Sequence, residues 1–476
     1  MNDSSVGRVA GDAGHGATLH PAPASSPEGS QGGESRGDGT PWPSEAYGWY
    51  VVFILCICGM VAFIDRQIIN LLVEDIKRDL QLSDTQISLL QGLAFGLFYA
   101  VMAVPLGRLA DTGRRNRVIA VGIVVWSVAA AACGLARSFW QLFFARMFVG
   151  VGEATLTPAG FSMLADLFRP QRLALPLSVY TGSSFVGSGV ALLVGGFVIA
   201  QLAALDVVVL PLLGELAPWE AAFVIGALPG FVVALLFFLT VREPPRRAAS
   251  VAAGQAAADP DRPTVREVLA FCARHARVFA AVYVGISVLA AVQFSLGAWV
   301  PAFMIRNYGW TPSDVGYAYG VIFLTAGTAG VVFGGWLADR FQEGGRRDGH
   351  LRVALISALA TLPFTVAFPL AGSAWASIAL LAPAVFFGTM AFGAGPALIP
   401  VISPPRMRGL LVALYLLVAN IFGQAGGPYL VALFTDRVFG SPELVRYSLA
   451  VVPALLLLLG AALVSSGFGG LRAMRS

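Results

Sequence analysis

Long apolar stretches separated by short polar segments occupy the chain from Tyr47 onward. An α-helix needs about 20 mostly apolar residues to cross the hydrocarbon core of a bilayer. We therefore predict an all-α membrane protein with twelve transmembrane helices, at residues 48–72, 86–107, 117–136, 139–164, 173–200, 219–241, 277–304, 314–337, 352–371, 374–400, 409–434 and 446–468.

Composition supports lipid as the solvent for most of this chain. Hydrophobic residues make up 57% of the 476 residues and charged residues 12%, with a mean hydropathy of +0.75. Soluble domains have about 45–50% apolar and about 25% charged residues. The net charge of +4 is small and no basic patch is interleaved with aromatic residues, so we expect no nucleic-acid partner. The four cysteines are too scattered to predict a disulfide framework.

The distribution of basic residues predicts the orientation. With a cytoplasmic N-terminus, roughly 23 of the 31 Lys and Arg residues lie on the cytoplasmic side, which follows the positive-inside rule. We predict a disordered cytoplasmic tail (1–45), a first six-helix bundle (46–241), a cytoplasmic linker (242–276) and a second six-helix bundle (277–476) that ends in a short cytoplasmic tail. Both termini are then cytoplasmic. If the protein is bacterial, we expect it in the inner membrane.

An internal repeat supports two related halves. The sequence GRLADTGRRNR after the second span, which contains Gly107, Asp111, Arg114 and Arg115, returns six spans later as GWLADRFQEGGRR, which contains Asp339. Glycine-rich runs in the fifth and eleventh spans, GSSFVGSGVALLVGG and GQAGGPYLVALFTD, are also six spans apart. Repeats of this kind are typical of transporters built from two bundles.

The motif GRLADTGRR resembles the loop signature of the major facilitator superfamily. Within it, FIDRQIINLLVEDIKRDLQLSDTQISLLQG and RMFVGVGEATLTPAGFSMLADLF resemble the spinster group of lipid transporters. The resemblance implies two six-helix bundles around a central cavity. It also implies that Asp111 faces a helix N-terminus of the other half, where the helix dipole favours an acid. Arg114 and Arg115 would pair with acids such as Asp166 and help to close the cytoplasmic side.

Four charged residues lie deep inside predicted spans: Asp65, Arg66, Arg146 and Glu153. Charges in a bilayer are costly and are kept mainly where they pair or line a pathway. Arg146 and Glu153 share one helix face, and the resemblance brings the first and fourth helices to the central cavity. We expect Asp65 and Glu153 to couple protons, and Arg66 and Arg146 to complete a network that binds an anionic headgroup. A static buried ion pair is the alternative.

The predicted spans of the second half have no comparable charges but many aromatic residues. Among these, Phe294 and Phe392 are candidates for an apolar cavity wall. The runs GVGEATLTP and FGTMAFGAGP predict points where the fourth and tenth helices are weakened. A cavity charged on one wall and apolar on the other suits an amphiphile.

These observations predict a proton-coupled secondary transporter that works by alternating access, with Na⁺ as the alternative coupling ion. We expect an anionic amphiphile such as a lysophospholipid or a sphingoid phosphate, and small organic anions or drugs are the alternative. Motifs of hydrolases, metalloproteases and nucleotide-binding loops are absent from the spans, so we do not expect an enzyme. We expect membrane lipids as partners, a monomer, and no cofactor or metal besides the coupled protons.

Overall fold

The computed structural model describes residues 42–211, 213–247, 263–344 and 348–473. Most of the predicted tail therefore lies outside the described residues. The same holds for residues 248–262 of the predicted linker and for Arg346 and Arg347 in the second copy of the repeat.

Eight helices and a small hairpin form the described residues 42–247, which we call the first half and which include the start of the linker. The helices are α1 Glu45–Leu71, α2 Val73–Leu80, α3 Asp84–Thr112, α4 Arg115–Cys133, α5 Phe139–Glu153, α6 Leu156–Leu167, α7 Ala174–Leu202 and α8 Pro218–Thr240. Between α7 and α8, the antiparallel strands β1 (Val208–Leu210) and β2 (Gly214–Leu216) pair Val208 with Leu216. The sequence did not predict this hairpin.

The second half (263–473) contains eight further helices. They are α9 Val265–Arg274, α10 Ala276–Tyr308, α11 Pro312–Glu343, α12 Gly349–Leu370, α13 Ala374–Thr389, α14 Ala394–Ile402, α15 Arg408–Phe439 and α16 Pro442–Arg472. Turns of π-helix interrupt α10, α11 and α15, at Ala280–Gly285, Phe323–Gly327, Ala419–Gly426 and Phe434–Phe439.

Within the described residues, eleven helical segments are long and apolar enough to cross a membrane. Ten of these are single helices, and the eleventh joins α13 and α14. The predicted fourth span is the exception because it consists of two shorter helices, α5 and α6. Together they cover the predicted residues 139–164, so the structure is consistent with twelve spans.

Two helix breaks share one cause. The regular helix is interrupted by a turn between Glu153 and Leu156, and again between Thr389 and Ala394, although the backbone at both ends of each turn keeps right-handed helical dihedral angles. Each break precedes a proline, Pro158 or Pro396, which lacks an N–H and clashes with the carbonyl four residues earlier. The two weakened runs predicted from the sequence are therefore confirmed as breaks in the fourth and tenth spans.

The ends of the molecule differ. We call the end that carries Gly107–Arg115 the motif end, and the opposite end, where α3 begins at Asp84, the far end. Four helices start at the far end with a Ser or Thr cap that accepts a backbone N–H, namely Ser83, Ser138, Thr311 and Ser373.

The two halves meet mainly at the far end. Helix α7 packs along the first part of α11, Pro312–Ile322, and hardly touches Thr328–Glu343. A side-chain Cβ at Gly196 would lie 3.2 Å from the Cα of Gly316, so the backbones of α7 and α11 nearly touch there. The halves therefore diverge toward the motif end, and the structure is closed at the far end.

Candidate transport site

The four deeply placed charges come together between α1 and α5. Helix α5 approaches α3 closely at Gly150, where an added Cβ would lie 2.6 Å from the carbonyl oxygen of Phe95. On its other side, Gly152 lies against α4, 2.7 Å from the backbone nitrogen of Trp126 by the same measure. These glycines allow α5 to sit between α3 and α4, and this position brings Arg146 and Glu153 toward α1.

One ion pair joins the two helices. The Nε of Arg66 donates a hydrogen bond of 2.7 Å to Oε2 of Glu153, and Nη2 contacts the same oxygen. The Glu153 side chain is 1% exposed and that of Arg66 is 24% exposed. The other carboxylate oxygen of Glu153, Oε1, is buried without a hydrogen-bond partner among the described residues. The arginine therefore has free surface to offer a ligand, whereas the acid does not.

Arg146 forms hydrogen bonds with the backbone of its neighbours. The Nη1 of Arg146 donates to the backbone carbonyl of Asp65 over 2.9 Å, and its Nε donates to the carbonyl of Leu90 over 3.4 Å. Asp65 is buried, and in the described part of the chain its carboxylate belongs to no ion pair. Arg146 is therefore held by backbone carbonyls and not by the carboxylate of Asp65.

Three aromatic rings surround the guanidinium of Arg66. Its Cζ lies 4.9, 4.4 and 5.2 Å from the ring centroids of Phe63, Phe95 and Tyr99, respectively. Cations are attracted to such ring faces, most strongly where water is excluded. The rings fix the arginine in place beside Glu153. These rings are not apparent from the sequence, because their role depends on the packing of α3 against α1.

An apolar cluster lies across the interface between the halves. Phe392, in the break between α13 and α14, packs against Phe185 of α7 with a centroid separation of 5.5 Å. It also packs against Phe294 of α10 at 6.0 Å. All three residues are half-buried. The structure thus places both predicted second-half aromatics in one cluster and adds Phe185 from the first half.

The motif residues are bound within the first half. Arg115 is fully buried and forms ion pairs with Asp166 at the end of α6 and with Glu243 of the linker. The predicted contact between Arg115 and Asp166 is confirmed. Arg114 is exposed and pairs with no acid in the described ranges, so the prediction is wrong for that residue.

The acids of both motif copies, Asp111 and Asp339, are exposed in this conformation. Asp111 is exposed, and its backbone carbonyl, rather than its carboxylate, accepts a hydrogen bond from Arg246 of the linker. Arg246 also donates to the carbonyls of Ala110 and Gly113. Gly107 lies against Pro158 of α6, and Asp339 in the second copy of the motif is exposed.

Comparison with known proteins agrees with this architecture. The family model for the Major Facilitator Superfamily matches residues 55–347 and 282–468. An MFS-type efflux pump of Mycolicibacterium smegmatis is 30% identical over 415 residues, which cover 86% of this chain and 90% of that protein. Human protein spinster homolog 1 is 28% identical over 409 residues, 82% of this chain and 73% of that protein.

Solved structures give the same result. A crystal structure of a bacterial homologue of the human lysosomal transporter Spinster, in an inward-facing and occupied conformation, superposes with a TM-score of 0.72. It is 25% identical and the match covers 90% of this chain and 98% of that one. A bacterial homologue of the human drug peptide transporters shares the fold, with a TM-score of 0.65 at 16% identity. The chain therefore belongs to the major facilitator superfamily of membrane transporters and is similar to the spinster proteins.

Proposed function

We propose that this protein is a proton-coupled secondary transporter that moves an anionic amphiphile, such as a lysophospholipid or a sphingoid phosphate, by alternating access. The Arg66–Glu153 ion pair is the observation that supports this proposal most strongly. Its arginine is partly exposed and its acid is buried. Protonation of Glu153 would leave the guanidinium free to bind an anionic headgroup, and deprotonation would restore the ion pair and release that anion.

Two carboxyl groups are available for coupling. Glu153 acts directly on Arg66, whereas Asp65 is a buried acid beside Arg146 that is outside the ion pair. A proton that crosses the membrane gains about 2.3 kcal/mol per 100 mV, which is enough to drive uphill transport.

An amphiphile is favoured because the candidate site combines a charged group, Arg66, with an apolar cluster. Arg66 offers a planar set of donors that suits a phosphate or carboxylate. Phe185, Phe294 and Phe392 offer an apolar surface for a chain. The relative named as an efflux pump favours the second candidate, a proton-coupled transporter of small organic anions or drugs.

The orientation follows from charge. The motif end carries most of the Lys and Arg residues outside the spans, so we assign it, and both termini, to the cytoplasm. The structure closed at the far end then corresponds to an inward-facing state. The protein would work as a monomer in the membrane, with membrane lipids and its substrate as partners and with no nucleic acid or cofactor.

Transport by purified protein in proteoliposomes tests the proposal. Under an imposed pH gradient, we expect an anionic lysolipid to be moved at least about tenfold faster than a short-chain analogue with the same headgroup, because each buried CH₂ contributes about 0.8 kcal/mol. Phe392→Ala should change the preference among chain lengths and leave headgroup preference unaltered. Equal transport of both compounds would favour the small-anion candidate, and transport insensitive to the pH gradient would exclude proton coupling.

A further inference from the structure

A charged cluster at the far end joins the two halves. Arg306, near the end of α10, donates from Nη1 and Nη2 to the two carboxylate oxygens of Asp84, over 2.7 and 2.8 Å. Its Nε donates to Glu74 of α2 over 2.8 Å. Asp84 is fully buried and the Arg306 side chain is 5% exposed. An arginine of the second half therefore holds two acids of the first half.

Asp84 has another cation, and this one belongs to its own half. The Nζ of Lys77 contacts Oδ1 of Asp84, the same oxygen that accepts from Nη2 of Arg306. Lys77 lies on α2, whose residues Val73 and Ile76 are fully buried. Asp79, next to the end of this helix, accepts a 2.6 Å hydrogen bond from the indole of Trp219 at the start of α8. Helix α2 is thereby fixed to the first half, and Lys77 moves with Asp84.

A second contact crosses the interface beside the first. Asp436, in the last turns of α15, accepts hydrogen bonds from the backbone nitrogen and the hydroxyl of Thr85, over 2.7 and 2.6 Å. Opening of the far end has to break this contact together with the bonds of Arg306.

We propose that Asp84 exchanges cations during the transport cycle: Arg306 holds the far end closed, and Lys77 keeps Asp84 neutralised after Arg306 has moved away with the second half. The inference rests on the proposed alternating-access function and adds the residues that set the balance between its two states.

The physical reason is the cost of a buried carboxylate without a partner. Removal of one member of a buried ion pair destabilises a protein strongly because the other charge is left uncompensated. In the open state Lys77 stays beside Asp84, so the buried carboxylate is not left without a cation. Arg306 is at the end of its helix, where it becomes hydrated once it separates from Asp84. The two cations therefore act in opposite directions on the same equilibrium.

Distances between spin labels at the far end, one on each half, test this exchange in the full-length protein. The measurement covers a pH range in which the parent populates both states. We expect Arg306→Ala to raise the ratio of far-end-open to far-end-closed molecules by about tenfold or more, because the bonds to Asp84 and Glu74 of the other half exist only in the closed state. Lys77→Met should lower the same ratio by a similar factor.

The matched control is Arg137→Ala. Arg137 is also at the far end, but it pairs with Glu220 of the same half, so its removal should leave the ratio unchanged. In an Asp84→Asn background, where no carboxylate needs a cation, Lys77→Met should have no effect on the ratio.

An increase in the open fraction on Lys77→Met, or no change, would overturn the exchange. An unchanged ratio in Arg306→Ala would show that the cluster does not hold the far end closed. Both results concern conformation alone, so the proposed function is judged separately by transport of the parent protein in proteoliposomes.

Discussion

Among the four charged side chains between α1 and α5, only Arg66 has appreciable exposed surface. Arg146 is buried and satisfied by carbonyls, so it supports the packing of α5 against α1 and α3. Asp65 and Glu153 are buried, and only Glu153 contacts a charged side chain. Under the proposed function the side chains would have separate roles: Arg66 would face the ligand, Glu153 would control Arg66, and Arg146 holds the backbone.

The role of Arg66 can be tested with a substitution that keeps the charge. We expect Arg66→Lys to reduce transport of an anionic lysolipid by about tenfold or more, because an ammonium cannot make the paired contacts of a guanidinium or stack on three rings. Uptake into proteoliposomes measures this effect, and thermal unfolding checks the fold. Full activity in the lysine variant would show that a point charge is sufficient.

The roles of Glu153 and Asp65 can be distinguished by how each acid affects the pH dependence of ligand binding. The parent should bind an anionic lysolipid more tightly at low pH, where Glu153 is protonated and Arg66 is free. Glu153→Gln should bind it equally well at low and high pH, since this side chain cannot re-form the ion pair. Titration calorimetry at two pH values measures both affinities.

Asp65→Asn provides the comparison for Glu153→Gln. It leaves the Arg66–Glu153 ion pair intact, so the pH dependence of binding should persist while that of the conformational equilibrium changes. If Asp65→Asn, rather than Glu153→Gln, removed the pH dependence of binding, the assignment of the two acids would be reversed.

At the scale of elements, close helix contacts and proline breaks determine where these side chains lie. Gly150 and Gly152 bring α5 against two neighbours, and the break after Glu153 ends that helix at the ion pair itself. The corresponding break in the tenth span places Phe392 beside α7 and α10. The fourth and tenth spans therefore each present a side chain of the candidate site, Glu153 or Phe392, at a point where the helix is weakened.

Gly150→Ala tests the helix contact. The added methyl group would meet the carbonyl of Phe95, so α5 has to move away from α3, at a cost of about 1–3 kcal/mol. We expect a lower unfolding temperature and a loss of transport, because Glu153 moves with the helix. Gly182→Ala on α7, where the Cβ has no neighbour within 4 Å, is the control and should behave like the parent. Equal stability of the two variants would show that α3 and α5 can separate freely.

At the scale of the whole molecule, the two ends are held by different interactions. The far end has ion pairs between the halves, whereas the motif residues at the other end bind the linker of their own half. Asp111 has an exposed carboxylate in this state, which leaves it available for the second half when the motif end closes.

Asp111→Asn should therefore affect the state that is closed at the motif end. We expect the variant to populate the state closed at the motif end less than the parent does, since the carboxylate no longer interacts with a helix N-terminus of the other half. Distances between spin labels on the two halves at the motif end measure the populations. The Arg246 contact uses the backbone of Asp111 and is unaffected. A distribution identical to that of the parent would leave the motif with a role in orientation only.

The sequence by itself determined where the membrane helices lie and both weakened runs, because bilayer thickness, hydropathy and proline geometry act locally along the chain. It also singled out Asp65, Arg66, Arg146 and Glu153, since a charge within an apolar span is visible without any tertiary information.

The interaction partners of the charged side chains were decided only by the tertiary structure. Whether Arg146 binds the carboxylate or the carbonyl of Asp65 depends on the depth at which α5 meets α1, and side-chain spacing along one helix does not specify that depth. Arg306 and Asp84 are near the ends of their helices, where charges are common, and 222 positions separate them in the chain. Their pairing arises from the closure of one half on the other. Composition and periodicity describe each helix alone, and such contacts depend on how two folded bundles meet.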